Sequence, residues 1–494
     1  MTAAFRLFFA LFLSLLASHA VAQEIVYATP LAPVTLSELQ TRGADDEPRE
    51  RRVRQHERRD PLGLWLAGPM SGVASIPSAV PTIAPPPIVA SFSSIREAGW
   101  VPADAAGAVG KEYVVGMTNA GVIVHKRNGE QVGASVPLYT FMAATPGDPN
   151  HDYYDPRIAY DASSDRWVMA CIRNNGEHLM IAASRSGDPQ GTWDRYQLRY
   201  DVFSRLTIDF LRMAVTRDTV MISALDGGTP YPTNVLSLRK TDLYAGAAAP
   251  LPIKTYRFDT RDVTPVEGVD SPIEYVMPSF FEVQRLDRYG SNFIVIVETT
   301  CAGCFYDIGA PQKGSTHEIF TGYSGVEAAV LRNGAMYVVG TVSVGTPRHL
   351  AVRWSKFNPE SGKLLDSGFI DDPTGEMFYA FPSLAVNRAG EMLIGFCTFS
   401  RNQFASAGYA YRDPAGRVST AGSIRMGESV LIGVGVTSQQ PYERWGDYTT
   451  TVIDPIEDSA FWTIQMISQS GSTWRTWWAK IDTPASKQRA VRHR

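Results

Sequence analysis

The stretch Arg157–Cys171, RIAYDASSDRWVMAC, decides the fold. It holds two short runs of alternating apolar residues, which the polar turn 163–165 separates. Side chains alternate between the two faces of a β-strand, so this pattern predicts an antiparallel hairpin with one buried face. Similar hairpins are predicted at Arg212–Ala224, Ala328–Thr341, Ser383–Phe396 and Thr451–Met466, with looser copies at Ala106–Met117 and Pro278–Glu298.

The hairpin recurs along the chain at intervals of 51, 54, 66, 50, 55 and 68 residues, measured between equivalent apolar positions. Those positions are Val109, Tyr160, Ala214, Phe280, Val330, Ala385 and Ile453. A period of about 40 to 50 residues is typical of propellers and solenoids. Most hairpins precede a third strand with polar and aromatic residues. The sequence therefore predicts an all-β fold, a β-propeller over residues 95–482, with seven blades or else six or eight. A two-sheet sandwich, the rival fold, has no such period.

The first residues have the order of a secretory signal peptide. Arg6 precedes the apolar run Leu7–Leu16, and small residues follow up to Ala22. This order predicts a signal peptide over residues 1–22 and a protein that is secreted, either periplasmic or extracellular. The apolar run is shorter than the roughly 20 residues that span a bilayer, so no transmembrane segment is expected.

Composition separates the remaining ends from the body. Residues 23–94 contain the Arg-rich run Glu47–Asp60 and a proline-rich stretch, which predicts a flexible leader. Residues 483–494 form a basic tail. The formal net charge of -4 gives no field for nucleic acid, so no nucleic-acid partner is expected, and we expect a monomer.

The chain has four cysteines, too few to replace a core with a disulfide framework. Cys301 and Cys304 have the two-residue gap of redox and metal motifs. Export favours a local disulfide over a zinc site, because no second cysteine pair or histidine pair stands at ligand spacing.

Three segments carry a resemblance to a known group of proteins. They are Asp155–Asp161 with Asp165-Arg166-Trp167, then Ser184–Trp193, and finally Arg444–Tyr448 with Asp454-Pro455 and Phe461-Trp462. The chain resembles exported bacterial β-propeller proteins, a largely uncharacterised group with sialidase-like or Asp-box-like blade turns. This resemblance implies the fold and export, and it implies no particular reaction.

The Ser184–Trp193 turn resembles the Asp box of sialidase-type propellers. Its role is expected to be structural, with Asp188 capping backbone N–H groups and Trp193 buried against the next strand.

A loop before the second predicted blade places oxygen ligands at alternating positions. Asp148, Asn150, Asp152 and Asp155 are the candidate metal ligands. Hard cations such as calcium are bound by oxygen atoms in loops of this kind, so calcium is the possible cofactor, against an ordinary Asp/Asn-rich turn.

Six residues are candidates for a catalytic or binding site, namely His151, Arg157, Arg212, Arg444, Asp447 and Tyr448. The last three lie close together before a predicted strand and form either a buried ion pair that locks the closing blade or part of the central opening. An Arg fork with stacked rings at the opening suits a carboxylated sugar.

Three functions remain open from the sequence. The first is a glycan-binding or protein-binding scaffold that uses loops on one face of the ring. The alternative is a carbohydrate-active enzyme, either a glycoside hydrolase or a polysaccharide lyase, with its site at the central opening. That hypothesis predicts a converging set of acids, or of His, Tyr and Arg, with shifted pKa values. The third is a calcium-stabilised adhesion module.

Overall fold

The computed structural model of the protein describes most of the body and part of the N-terminal region. The described residues are 22–41, 52–53, 83–97, 99–145, 148–173, 176–200, 207–227, 232–258, 263–278, 282–286, 296–297, 309–322, 325–434 and 442–484. The predicted signal peptide, the Cys301–Cys304 pair and most of the basic tail lie outside them. Within this part of the chain, no helix is long and apolar enough to cross a membrane.

The described body contains seven groups of four antiparallel strands, which we number as sheets 1 to 7; five are separate sheets, and the strand Ala22–Thr35 joins sheets 2 and 3 into one nine-stranded sheet. The N-terminal elements are β1 (Ala22–Thr35), α1 (Leu36–Thr41), β2 (Arg52–Val53), β3 (Ile88–Arg96) and β4 (Trp100–Val101). Sheet 1 contains β5 (Ala106–Val109), β6 (Tyr113–Thr118), β7 (Gly121–Lys126) and β8 (Gln131–Pro137), and α2 (Leu138–Phe141) follows it. Sheet 2 contains β9 (Tyr153–Asp161), β10 (Arg166–Arg173), β11 (His178–Ser184) and β12 (Thr192–Arg199). Sheet 3 contains β13 (Ile208–Val215), β14 (Thr219–Asp226), β15 (Thr233–Arg239) and β16 (Leu251–Phe258), with α3 (Lys240–Leu243) before β16.

The second half of the body repeats this arrangement. Sheet 4 contains β17 (Val263–Pro265), β18 (Glu274–Pro278), β19 (Glu282–Leu286) and β20 (Ile296–Val297), and the short pair β21 (Gly309–Ala310) and β22 (Ile319–Phe320) follows. Sheet 5 contains β23 (Ala328–Arg332), β24 (Ala335–Val344), β25 (His349–Phe357) and β26 (Leu364–Ile370). Sheet 6 contains β27 (Phe378–Val386), β28 (Met392–Ser400), β29 (Gln403–Arg412) and β30 (Gly422–Arg425). Sheet 7 contains β31 (Thr450–Ile453), β32 (Ala460–Gln469) and β33 (Thr473–Asp482), and β3 completes it.

The first strands of the seven sheets form a closed ring. Each packs against the first strand of the next sheet, and β31 of sheet 7 packs against β5 of sheet 1. Parallel bridges join Thr216 to Gly268 and Glu267 to Val330, so neighbouring first strands run in the same direction. This arrangement is a β-propeller, as the period predicted. We call the end of the ring where the first strands begin the upper end.

Apolar side chains fill the spaces between neighbouring sheets. A cluster centred on Trp167 and Trp193 lies between sheets 1 and 2, and one with Trp462 and Trp478 lies between sheets 7 and 1. At the latter boundary a Cβ atom on Gly107 would lie 2.4 Å from Cζ2 of Trp478, so the two sheets approach closely only because residue 107 is glycine.

Parts of the N-terminal region form strands and a helix among the described residues. Residues 23–94 were expected to be a flexible leader, yet β1, α1 and β3 lie within this range. The apolar stretch Ala22–Thr35 can add a strand to existing sheet edges, which an estimate from composition does not detect. The propeller itself includes Ile88–Arg96, so it begins before residue 95.

The predicted hairpins coincide with the first two strands of sheets 1, 2, 3, 5, 6 and 7. Sheet 4 is the exception. Phe280, the predicted repeat position of this sheet, lies outside the described residues, and the first strand is Val263–Pro265, which has only three residues and one proline. A run this short carries no detectable alternation.

The Asp-box-like turn makes the bonds of a structural turn. Ser184 Oγ accepts from the Trp167 backbone N–H at 2.8 Å, and Trp167 Nε1 donates to the Gly187 carbonyl at 2.8 Å. Trp193 is fully buried, and its Nε1 donates to the Pro189 carbonyl at 2.8 Å. Asp188 accepts from the Gln190 N–H at 2.9 Å, as an Asp cap does.

We expect Trp193→Ala to lower the free energy of unfolding by about 3–5 kcal/mol, the range for removing a buried tryptophan side chain. Asp188→Ala is the matched control, because its bond to Gln190 lies at the surface, and it should cost under about 0.5 kcal/mol. Urea denaturation measures both. Equal losses in the two variants would show that the turn, and not the buried ring, stabilises this sheet.

Candidate functional site

Three first strands contain the same irregularity near the upper end of the ring. In sheets 2, 3 and 6 two residues face one on the neighbouring strand, which is a β-bulge. The bulged residues Asp155, Phe210 and Phe381 have φ values of 51°, 57° and 56°. Bulges redirect side chains and are common beside functional sites. Here they bring side chains of several sheets together at the upper end.

A hydrogen-bond network links sheets 7, 1 and 2 at this end. Tyr448 Oη donates to Asp155 Oδ2 at 3.1 Å, and the Asp155 N–H donates to Asn119 Oδ1 at 2.9 Å. Asn119 Nδ2 donates to Asp104 Oδ2 at 2.6 Å, and Asp104 Oδ1 accepts from the Asp447 N–H at 2.9 Å. Because Asp447 and Tyr448 are adjacent, these bonds close a loop that holds the buried acids in place.

Arg444 and Asp447 form a buried ion pair. Nη1 and Nη2 of Arg444 donate to the two carboxylate oxygens at 2.9 and 2.7 Å, and both side chains are at most 5% exposed. The guanidinium also lies 5.2 Å from the centre of the Phe320 ring. The sequence left open whether these residues lock the last sheet or face the opening. The bidentate geometry is that of a buried ion pair, in which Asp447 neutralises the charge of Arg444.

Arg157 and Arg212 are the two arginines of the cluster that no carboxylate pairs with directly among the described contacts. The Arg157 guanidinium stacks 3.5 Å above the Tyr448 ring, and its Nε donates to the Leu211 carbonyl at 2.7 Å. Arg212 stacks 4.7 Å from the Phe210 ring and makes no hydrogen bond to any described residue. Both cations therefore keep N–H groups that a ligand can use.

Burial shifts the pKa of the groups in this stack. Desolvation raises the pKa of the Tyr448 phenol well above its usual value, and the nearby Asp155 charge adds to the rise. Desolvation lowers the pKa of the Arg157 guanidinium, with a contribution from the neighbouring charge of Arg212. Such shifts are typical of sites where charge develops during a reaction.

Glu327 also belongs to this cluster, and it was not predicted from the sequence. It precedes β23, and its Oε1 accepts from the Thr341 N–H at 3.0 Å and from Thr341 Oγ1 at 2.5 Å. Burial raises the pKa of Glu327 to about 8, against the hydrogen bonds of Thr341 and the charge of Arg212, which favour the ionised form. Glu327 lies three residues before the repeat position Val330, as Arg157 lies three before Tyr160.

His151 and three of the predicted metal ligands lie outside this cluster. The His151 ring stacks on Tyr139 at 4.2 Å, away from the arginines. Asp148 forms an ion pair with Arg173 at 2.8 Å and accepts from the Asn150 N–H. The Asn150 side chain in turn accepts from the Asp152 N–H at 2.8 Å.

The structure therefore does not bring the four predicted calcium ligands together. Asp148 and Asn150 bind protein groups in the loop, whereas Asp155 belongs to the network with Tyr448. Nowhere in the described part of the chain do three His, Cys, Asp or Glu side chains form a group suited to a metal ion.

A separate cavity of about 370 Å³ lies on the outer side of sheets 2 and 3. Pro33 of β1 forms one wall, and Arg185 and Asp194 of sheet 2 form another. Arg185 and Asp194 pair with each other at 2.7 Å, and Arg166, which also lines the cavity, donates to the Ser164 and Asp165 carbonyls. Because the central cluster contains groups with shifted pKa values, the upper end of the ring is the stronger candidate site.

Comparison with known proteins gives only distant likenesses. No protein-family model matches the chain, and no curated protein sequence matches it. The chain is similar to the Trypanosoma rangeli sialidase, at 10% identity and a TM-score of 0.36, over 81% of this chain and 60% of the sialidase. An α-L-arabinofuranosidase from Fusarium graminearum gives 9% identity and a TM-score of 0.35, over 83% and 98%. With TM-scores this low, the likenesses establish neither family nor activity.

The raised pKa of Glu327 predicts a pH-dependent effect on stability. The folded protein keeps this proton up to about pH 8, whereas an unfolded glutamate loses it near pH 4.3. Between these values the folded state binds more protons, so the contribution of Glu327 to the free energy of unfolding falls as pH rises.

We therefore expect Glu327→Gln, which stays neutral, to gain stability relative to the native protein as pH rises from about 4.3 to 8. Thermal melts across this range measure the difference. Glu360→Gln, at an exposed turn, is the control and should show no such trend. A difference that stays constant with pH would contradict a buried neutral Glu327.

The Arg444–Asp447 pair predicts a large coupling energy. We expect Arg444→Met to cost about 3–5 kcal/mol, because it leaves the Asp447 charge buried without its partner. The double variant Arg444→Met/Asp447→Leu should cost less than the two single changes added together. Chemical denaturation of the four proteins gives this cycle. Additive losses would mean that the two side chains act independently.

Proposed function

We propose that the protein is a secreted, seven-bladed β-propeller that acts as a carbohydrate-active enzyme, a glycoside hydrolase, at the upper end of its ring. Each four-stranded sheet is one blade, and the signal peptide over residues 1–22 directs export. One observation carries the proposal. A carboxyl group with a pKa of about 8, Glu327, lies within the electrostatic reach of Arg212 and Asp447 in the central cluster.

Glu327 suits the role of general acid. At neutral pH it holds a proton, and glycosidic bond cleavage requires proton donation to the leaving oxygen. Thr341 binds Oε1, so the orientation of the carboxyl group is fixed. The neighbouring positive charge of Arg212 keeps the proton transferable, because it favours the ionised form that remains after donation.

Asp155 and Tyr448 suit the roles of general base and nucleophile. Asp155 Oδ2 accepts from the Tyr448 phenol and also from the Phe210 N–H at 2.8 Å, so the carboxylate is oriented by two donors. A hydroxyl group bonded to an oriented carboxylate is the arrangement of an activated nucleophile and its base. The guanidinium of Arg157 above the phenol ring stabilises negative charge on that group.

Arg157 and Arg212 suit recognition of the substrate. Their N–H groups match carboxylate and hydroxyl oxygens, and the adjoining Phe210 and Tyr448 rings, 5.0 Å apart, form an apolar surface. A sugar that carries a carboxylate is therefore the preferred substrate class. We propose no calcium ion in the loop that contains Asp148.

A glycan-binding propeller without turnover is the second candidate. The same arginine pair favours it, because binding requires only the N–H groups of Arg157 and Arg212 and not the proton of Glu327. The two candidates therefore separate on whether product forms when a sugar is retained.

We expect turnover of carboxylated oligosaccharides to fall as pH rises through about 8, because Glu327 then loses its proton. Glu327→Gln should reduce kcat by about 10²–10⁴-fold, the usual contribution of a general acid, while Glu360→Gln should leave kcat unchanged. New reducing ends across a panel of acidic and neutral polysaccharides report turnover. If the native protein is retained on an affinity gel but forms no product, the hydrolase proposal is wrong and the protein is a glycan-binding module.

A further inference from the structure

The N-terminal strand β1 occupies the seam between two sheets. Its first half, Ala22–Ala28, pairs with β16, the outermost strand of sheet 3. Its second half, from Thr29 to Thr35, pairs with β12, the outermost strand of sheet 2. One strand therefore joins two sheet edges into a continuous nine-stranded sheet.

Sheet edges such as β12 and β16 expose unpaired backbone groups, and an added strand satisfies them. Extended peptides bind other proteins in this way, with backbone hydrogen bonds for affinity and alternate side chains for specificity. Segment 22–41 has both features. Val26 and Ala28 are 7% and 0% exposed, whereas Ile25 and Tyr27, which alternate with them along the strand, are 58% and 64% exposed.

Side chains of the propeller recognise the backbone of this segment. Arg195 of β12 donates to the Ala32 carbonyl through Nε at 3.0 Å and Nη2 at 2.8 Å. Its Nη1 donates to the Phe141 and Ala143 carbonyls, so a buried arginine ties the segment to the loop before sheet 2. Burial lowers the pKa of Arg195 to about 10.

The end of the segment extends the contact to sheet 1. Leu36 is 1% exposed, and its N–H donates to the Gly191 carbonyl at 3.2 Å in the Asp-box-like turn. Ser37 N–H donates to the Gln190 carbonyl at 3.0 Å, and Gln40 Nε2 donates to the Val132 carbonyl of β8 at 3.0 Å. The segment thus crosses the outer side of three consecutive sheets.

We propose that the seam between β12 and β16 is a strand-binding site, and that residues 23–41, which follow the proposed signal peptide, are its ligand, a separable segment that also binds when it is not covalently joined to the propeller. Residues 42–87 alone connect the segment to β3 of sheet 7. The contacts that hold the segment are backbone pairing, the buried Ala28 and Leu36 side chains, and the hydrogen bonds of Arg195 and Gln40. It does not depend on the proposed hydrolase.

The test cleaves the folded full-length protein at a protease site introduced within residues 61–82. The N-terminal fragment should co-elute with the propeller in gel filtration, and a fluorescent peptide of residues 23–41 should exchange into the seam. Hydrogen exchange should show amides 192–199 and 251–258 protected while the seam is filled and less protected after the fragment is removed.

Two peptide variants provide the specificity control. Ala28→Phe places a large ring at a fully buried position and should weaken binding by roughly tenfold or more. Tyr27→Ala changes a side chain that is mostly exposed and should bind as the native peptide does. A cleaved fragment that elutes apart from the propeller would overturn the proposal, as would equal affinities of the two variant peptides.

Discussion

Closure of the ring is the constraint on which the rest of the structure depends. Each sheet has one first strand packed against two neighbours, so the arrangement is complete only when sheet 7 meets sheet 1. Ile88–Arg96 pairs with β33 and supplies the outermost strand of sheet 7 from the other end of the body. The contact of Gly107 with Trp478 then fixes the distance between the two sheets. The loop of bonds through Asp104, Asn119 and Asp155 lies across this same closure.

The candidate site is a consequence of that closure. The bulges in sheets 2, 3 and 6 redirect side chains, and the seven first strands begin at the same end of one ring. Polar groups from distant parts of the chain therefore meet at this end of the ring. Low hydration raises the pKa of Glu327 and leaves Arg157 and Arg212 dependent on aromatic faces for stabilisation. Stability and chemistry are coupled in such a cluster, because each buried charge that serves a ligand also costs folding free energy.

On the outer side of the ring, backbone pairing with β1 joins neighbouring sheets. Propeller sheets diverge towards their outer edges, and the edges of sheets 2 and 3 are covered by β1. These are the sheets whose first strands carry Arg157 and Arg212. Arg195 joins the same segment to the loop before Tyr153.

The sequence by itself determined the repeat, the hairpins and the structural role of the Ser184–Trp193 turn, because alternation of apolar residues and short polar turns are local properties. It also singled out Arg157, Arg212, Arg444, Asp447 and Tyr448, since cations and aromatic residues beside predicted strands are visible in a linear pattern. It did not find Glu327, which stands alone in an apolar run, and it grouped His151 and Asp148 with residues that the fold separates. Tertiary structure alone decided which carboxyl group is buried beside an arginine, that Asp447 neutralises Arg444, and that residues 22–35 form a strand. Each of these depends on contacts between sheets, and such contacts leave no periodic signal in the chain.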